Sequence, residues 1–123
     1  MTVKLDHIIV EARDKTESAT FLAGILGLPA PIALGKFAAV AIDHGLSIDF
    51  CDTAGEIRPQ HYAFAVSEAE LDAILDRVRA RGLSYWADPR ATRPGEVDQR
   101  DGGRGIYFAD PSGHWLEVLT KGS

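Results

Sequence analysis

Two stretches of the chain alternate between apolar and small or polar residues and carry a histidine where a buried strand would place an apolar group. They are Leu5-Asp6-His7-Ile8-Ile9-Val10 and Gln60-His61-Tyr62-Ala63-Phe64-Ala65-Val66, which predict strands over 3–10 and 61–66. A helix signal follows each. Asp14 precedes the first helix, with Glu17 at the reciprocal capping-box position, Phe21, Leu22 and Ile25 as the apolar stripe, and Gly27 as the stop. Ser67-Glu68-Ala69-Glu70 is a second capping box, ahead of the stripe Leu71, Ile74, Leu75 and Val78 and the stop Gly82. Short apolar segments over 32–34, 37–42 and 46–51 are separated by Gly35 and by Asp43-His44-Gly45, so they predict hairpin strands. In the second half, strands are predicted over 83–87, 105–109 and 115–121, the last two joined by the turn Asp110-Pro111-Ser112-Gly113. The long Pro-, Gly-, Arg- and Asp-rich segment 88–104 reads as a loop, and loops of that length are often functional.

The order is therefore βαβββ twice, the pattern of an internal duplication. The expected architecture is one α+β domain over 1–123, with a first module over 1–52, a connector over 53–59 and a second module over 60–123.

Each module closes on a strand interrupted by an acid: Asp49 in Leu46-Ser47-Ile48-Asp49-Phe50 and Glu117 in Trp115-Leu116-Glu117-Val118-Leu119. The period of two puts Ser47, Asp49 and Cys51 on one face, opposite Leu46, Ile48 and Phe50, while His61 shares its face with Ala63 and Ala65. Glu117 goes with Trp115 and Leu119, and His7 with Leu5 and Ile9. Carboxylates and imidazoles in partly apolar surroundings are costly unless paired, and a divalent cation would satisfy them together. Two histidines and one carboxylate suit non-haem iron or manganese; a fourth ligand at Asp49 would suit a more closed site for nickel, zinc, magnesium or manganese.

Composition sets the frame for that chemistry. The 123 residues are 46% hydrophobic and 25% charged, an ordinary globular balance. A net charge of −5 without a basic run argues against nucleic acid as a partner. No apolar run is long enough to span a bilayer, the N-terminus lacks the order of a signal peptide, and the lone Cys51 has no partner for an internal disulfide, so the expected location is cytoplasmic.

The two histidine strands, together with Tyr107-Phe108-Ala109-Asp110-Pro111-Ser112-Gly113-His114-Trp115-Leu116-Glu117, resemble the vicinal oxygen chelate superfamily. Glyoxalase I, extradiol dioxygenases, fosfomycin-resistance transferases and metal-free bleomycin-binding proteins share that fold. The resemblance covers nearly the whole chain. It implies paired βαβββ modules forming a curled mixed sheet around one metal, and frequently a homodimer. It also implies His7, His61 and Glu117 as metal ligands, with Asp49 where glyoxalase I has a further glutamate ligand. Tyr107 falls where the extradiol signature carries a tyrosine, but that signature expects a histidine shortly before it, and Gln99, Arg100 and Asp101 occupy the region here. Against the fosfomycin transferases, Ile9 stands in place of a threonine near the metal, and the tail 119–123 lacks the expected phosphonate-gripping basic residue.

The reading that follows is a metal-dependent enzyme acting on a small substrate that chelates the metal through adjacent oxygens. Fe2+ or Mn2+ is favoured, with Ni2+ or Zn2+ as alternatives. His7, His61 and Glu117 would hold the metal, Asp49 would be a fourth ligand or a base, and Tyr107 would orient or protonate the bound oxygen. Dioxygenase-like chemistry ranks ahead of a glyoxalase-like lyase or isomerase step, and a metal-free binder of an antibiotic or metabolite is the alternative from another class. Arg58, Arg90, Arg93 and Arg104 are candidates for gripping an anionic substrate. His44 and His114 lie at predicted turns and read as structural, as do Cys51, Tyr85, Trp86 and Trp115.

Overall fold

The computed structural model describes residues 3–100 and 102–121. The chain divides into two compact units, Met1–Arg58 and Pro59–Ser123. In the first, strand β1 (His7–Ala12) leads to helix α1 (Lys15–Leu26), then β2 (Ile32–Leu34), β3 (Phe37–Ala41) and β4 (Ser47–Asp52). In the second, β5 (His61–Ala65), α2 (Glu68–Ala80), β6 (Asp98–Arg100), β7 (Gly103–Ala109) and β8 (Trp115–Leu119) repeat the order. Each unit holds one four-stranded mixed sheet, β1-β4-β3-β2 and β5-β8-β7-β6.

The registers of the two sheets match. β1 runs parallel to β4 with His7 opposite Ser47 and Ile9 opposite Asp49; β5 runs parallel to β8 with His61 opposite Trp115 and Ala63 opposite Glu117. Asp49 and Glu117 therefore occupy corresponding places, each two pairs along from its histidine. The duplication expected from the sequence is thus carried down to individual strand pairs.

The helix ends follow the side-chain chemistry. The Asp14 carboxylate accepts from the N–H groups of Thr16 and Glu17, and Gly27 closes α1 in the left-handed conformation that a residue with a Cβ adopts at a cost. At α2 the Ser67–Glu70 capping box is complete in both directions. For α1 it is not: Asp14 caps, and no reciprocal bond from Glu17 occurs among the described residues. Each helix covers one sheet face. Leu22 and Ile25 of α1 are buried with Val10, Ala12, Ile48 and Phe50, and Leu71, Ile74, Leu75 and Val78 of α2 are buried in the unit that also buries Ile106, Phe108, Leu116 and Val118. Full burial of one such side chain stabilises by about 1.5–3 kcal/mol, so these faces hold the units together.

Two predicted strands are corrected. β1 begins at His7 rather than residue 3, because its partner β4 starts at Ser47 and the chain before Asp6 has no ladder to join; Leu5 stays exposed. The segment 83–87 is not a strand. Only Trp86 forms bridges there, one with Tyr107, exchanging two backbone bonds at 2.9 and 2.8 Å, and one with Pro94. Pro89 and Pro94 cannot donate to a ladder, and the Asp88 carboxylate folds the segment back by accepting from the N–H groups of Thr92 and Arg93. The edge of β7 is taken instead by β6, inside the stretch expected to be loop.

Those hydrogen bonds, first among them the one from the Thr92 hydroxyl, hold the Asp88 carboxyl below its ordinary value of 3.8. A depressed native pKa contributes stability above the unfolded value, and that stability is lost as pH falls through the native one. The gap between wild type and Asp88→Asn in denaturant melts is therefore expected to be full at pH 7 and to close below pH 3.8; a gap independent of pH would contradict it.

Candidate metal centre

The sheet faces opposite the helices carry the candidate residues. In the second unit, cross-strand pairing puts His61 and Ala63 of β5, Trp115 and Glu117 of β8, Gly105 and Tyr107 of β7, and Asp98 and Arg100 of β6 on one face. Small residues at Ala63 and Ala65 leave the β5 side of this face open. His61 Nε2 lies 3.1 Å from Glu117 Oε1, and Arg100 Nη1 donates to Glu117 Oε2 at 2.9 Å. Tyr107 pairs directly with Glu117, and its hydroxyl hydrogen-bonds both Arg100 and Glu117.

Electrostatics follow from this packing. Burial works to raise the Glu117 carboxyl, but the hydrogen bonds from Arg100, His61 and Tyr107 outweigh it and hold the group below the usual carboxylate range. Burial raises the Tyr107 hydroxyl, assisted by the Glu117 charge and opposed by Arg100, so it remains a protonated donor at neutral pH. Three aromatic rings surround the group: Trp86 and Trp115 lie 5.3 Å apart, Tyr107 stacks on Trp115 at 6.3 Å, and the His61 ring meets Tyr107 edge-on at 5.9 Å.

In the first unit the corresponding face carries His7, Ile9, Ser47, Asp49 and Ala39. Asp6 Oδ2 accepts from His7 Nδ1 at 2.7 Å, which raises the histidine pKa. Ser47 Oγ donates to Asp49 Oδ1 at 2.7 Å, and Asp49 is buried.

The side chains of His7 and His61 are 51% and 45% exposed, because neither sheet face is covered by the helix of its own unit. The structure gathers His61, Glu117 and Tyr107 into one constellation. His7 and Asp49 belong to the other unit, and no group of three or more His, Cys, Asp or Glu occurs among the described residues. The His61–Glu117 pair would supply two of a divalent ion's ligands. Two donor atoms 3.1 Å apart, each at a bond length of about 2.1 Å, subtend about 95°, between octahedral and tetrahedral values.

Arg100 is the site residue that sequence reasoning missed. It shares the segment 88–104 with Arg90, Arg93 and Arg104, and a stretch that reads as loop assigns no face by which one of these arginines could be told from the others. Its signal was the pairing of Arg100 with Gly103 and of Asp98 with Gly105. Of the candidates named instead, Arg104 is paired with Glu68 and Asp72 on α2, and Arg93 with Asp98. Asp101 lies outside the described residues. His114 is structural as expected: it is buried, and its Nδ1 accepts from the Gln60 N–H at 3.0 Å. His44 is exposed in a single 3-10 turn over Asp43–Gly45.

Known proteins share this fold. The solved structures of Oxidase ChaP-H1 and Oxidase ChaP-H2 superpose with TM-scores of 0.95 each, at 53% and 56% identity. The first comparison covers 98% of this chain and 97% of the oxidase, the second 98% and 95%. Metallothiol transferase FosB of Shouchella clausii (strain KSM-K16) is 30% identical over 122 residues, covering 94% of this chain and 79% of the relative. Residues 4–118, which include both histidine strands and both carboxylate strands, match the family model itself, so the chain belongs to the Glyoxalase/Bleomycin resistance protein/Dioxygenase superfamily.

Proposed function

We propose that this chain is a metal-dependent enzyme that oxidises a small substrate bearing adjacent oxygens, with dioxygen as the oxidant and a dioxygenase-like outcome. The observation that carries the reading is the His61–Glu117 pair, spaced for a shared cation and flanked by a protonated Tyr107 hydroxyl. Identity of more than half to two proteins named as oxidases supports the oxidative branch. His61, Glu117 and His7 would hold one divalent ion, with Fe2+ or Mn2+ favoured, and Asp49 would serve as a further ligand or a base. When bound, the ion supplies Lewis acidity and a template for two neighbouring oxygens.

The chain's own groups do the rest. Tyr107 donates a hydrogen bond to a substrate oxygen and fixes its orientation. The aromatic wall of Trp86 and Trp115 offers a flat apolar surface to a planar substrate. A second copy of the chain as partner is supported by Ile9, Ile32 and Leu34, exposed large apolar side chains that share the face of His7. No helix among the described residues is long and apolar enough to cross a membrane.

A second reading, a glyoxalase-like isomerisation, is favoured by one observation: Asp49 occupies in the first sheet the register position that Glu117 occupies in the second. Oxygen uptake separates the two. Metal-reconstituted protein is expected to consume dioxygen with catechols or other vicinally oxygenated aromatics, and Tyr107→Phe to slow that reaction about 10²–10⁴-fold. Turnover of a hemithioacetal without oxygen uptake would overturn the oxidative reading in favour of the second.

A further inference from the structure

Glu117 has its two oxygens facing different neighbours: Oε1 faces His61 Nε2 at 3.1 Å, Oε2 accepts from Arg100 Nη1 at 2.9 Å, and the carboxylate also accepts from the Tyr107 hydroxyl. Arg100 is itself held. Asp98 Oδ2 accepts from its Nε at 3.2 Å and lies 3.0 Å from its Nη2, an ion pair that holds the guanidinium in place. Asp98 is anchored in turn by Arg93 at 3.1 Å.

The strand beneath has been cleared for this side chain. A Cβ on Gly105 would come within 2.7 Å of Arg100 Nη2 and 3.0 Å of its Cζ. Gly105 has no left-handed backbone requirement, and glycine in a strand interior costs stability. Space for the guanidinium accounts for its presence.

We propose that Arg100 is a positioning residue that keeps Glu117 a one-oxygen metal ligand, by occupying Oε2 so that only Oε1, beside His61, is open to a divalent cation. The proposal rests on the metal-centre reading above. Its consequence is an open coordination sphere. A carboxylate free to turn and bind through both oxygens would fill a position that a chelating substrate needs, whereas one pinned at Oε2 leaves that position available. Arg100 also places a positive charge close to the bound ion, trading metal affinity for that opening.

Cobalt(II) reports both effects, because its visible absorption weakens as coordination number rises. The variants Arg100→Gln, Arg100→Lys, Gly105→Ala and Arg104→Ala are compared with wild type by cobalt spectrum and by calorimetric Kd, with circular dichroism to verify folding. In Arg100→Gln the second oxygen is freed and the neighbouring charge removed, so the visible bands should weaken and Kd should fall about tenfold. Gly105→Ala, which displaces the guanidinium without deleting it, should move both readouts the same way. Arg100→Lys should retain most of the wild-type spectrum, and Arg104→Ala, whose charge is spent on Glu68 and Asp72, all of it. Wild-type spectra and affinities in both Arg100→Gln and Gly105→Ala would overturn the role of Arg100 while leaving the metal centre standing. Failure of wild type to bind cobalt would overturn both. If Arg100→Gln does not fold, Gly105→Ala decides alone.

Discussion

Replacing Glu117 by glutamine is expected to lower metal affinity at least about a hundredfold, more than the loss of a supporting hydrogen bond does, and to abolish metal-dependent turnover. The physical reason is specific to this site. Arg100 offers only N–H donors, so it will hold the amide oxygen of the glutamine and turn the NH2 group toward His61. The position facing the cation then carries hydrogen-bond donors in place of a carboxylate oxygen. Folding should survive, because Asp98 remains as a partner for Arg100; the loss of one charged hydrogen bond costs about 1.5–3 kcal/mol. A folded Glu117→Gln protein that retains wild-type metal affinity would contradict the assignment.

The largest expected stability effect lies one residue from Tyr107, on the opposite face of the same strand. Phe108 is 1% exposed and pairs across the sheet with Leu116. Phe108→Ala is expected to cost about 3–5 kcal/mol, the transfer term of a phenyl ring plus the cavity it leaves. In a domain of this size that corresponds to a fall in melting temperature of at least about 10 °C. Tyr107→Phe, by contrast, removes only a hydroxyl with its hydrogen bonds to Arg100 and Glu117, and should lower the melting temperature less than Phe108→Ala does while impairing turnover. If the two variants showed the reverse pattern, the assignment of one face to the core and the other to the site would be wrong.

Much of this arrangement was legible in the residues. Local chemistry specified the helix ends, since Asp14, Gly27 and the Ser67–Glu70 box act through groups a few positions away. The period of two separated Tyr62, Phe64 and Val118 from His61, Ala63 and Glu117, and so placed two candidate side chains, His61 and Glu117, on one face. The unreadable features depend on distant partners. β6 consists of Asp98-Gln99-Arg100, whose polar residues carry no strand signal; it is a strand because the edge of β7 was available at Gly103 and Gly105. Arg100 followed it into obscurity, since its role exists only once that pairing sets it against Glu117. The half-exposure of His7 and His61 was likewise hidden: alternation says which side chains share a face, and not whether anything covers it.

The central proposal is that His7, His61 and Glu117 would hold one divalent ion. Elemental analysis addresses it most directly, on protein purified without chelators or a histidine tag and reconstituted anaerobically with iron, manganese, nickel or zinc. Wild type is expected to carry about one ion per chain, and folded His7→Ala and His61→Ala to lose it, because a site deprived of one ligand cannot repay the ordering of the others. Wild-type protein that takes up none of these metals, or histidine variants that retain the full complement, would contradict the account.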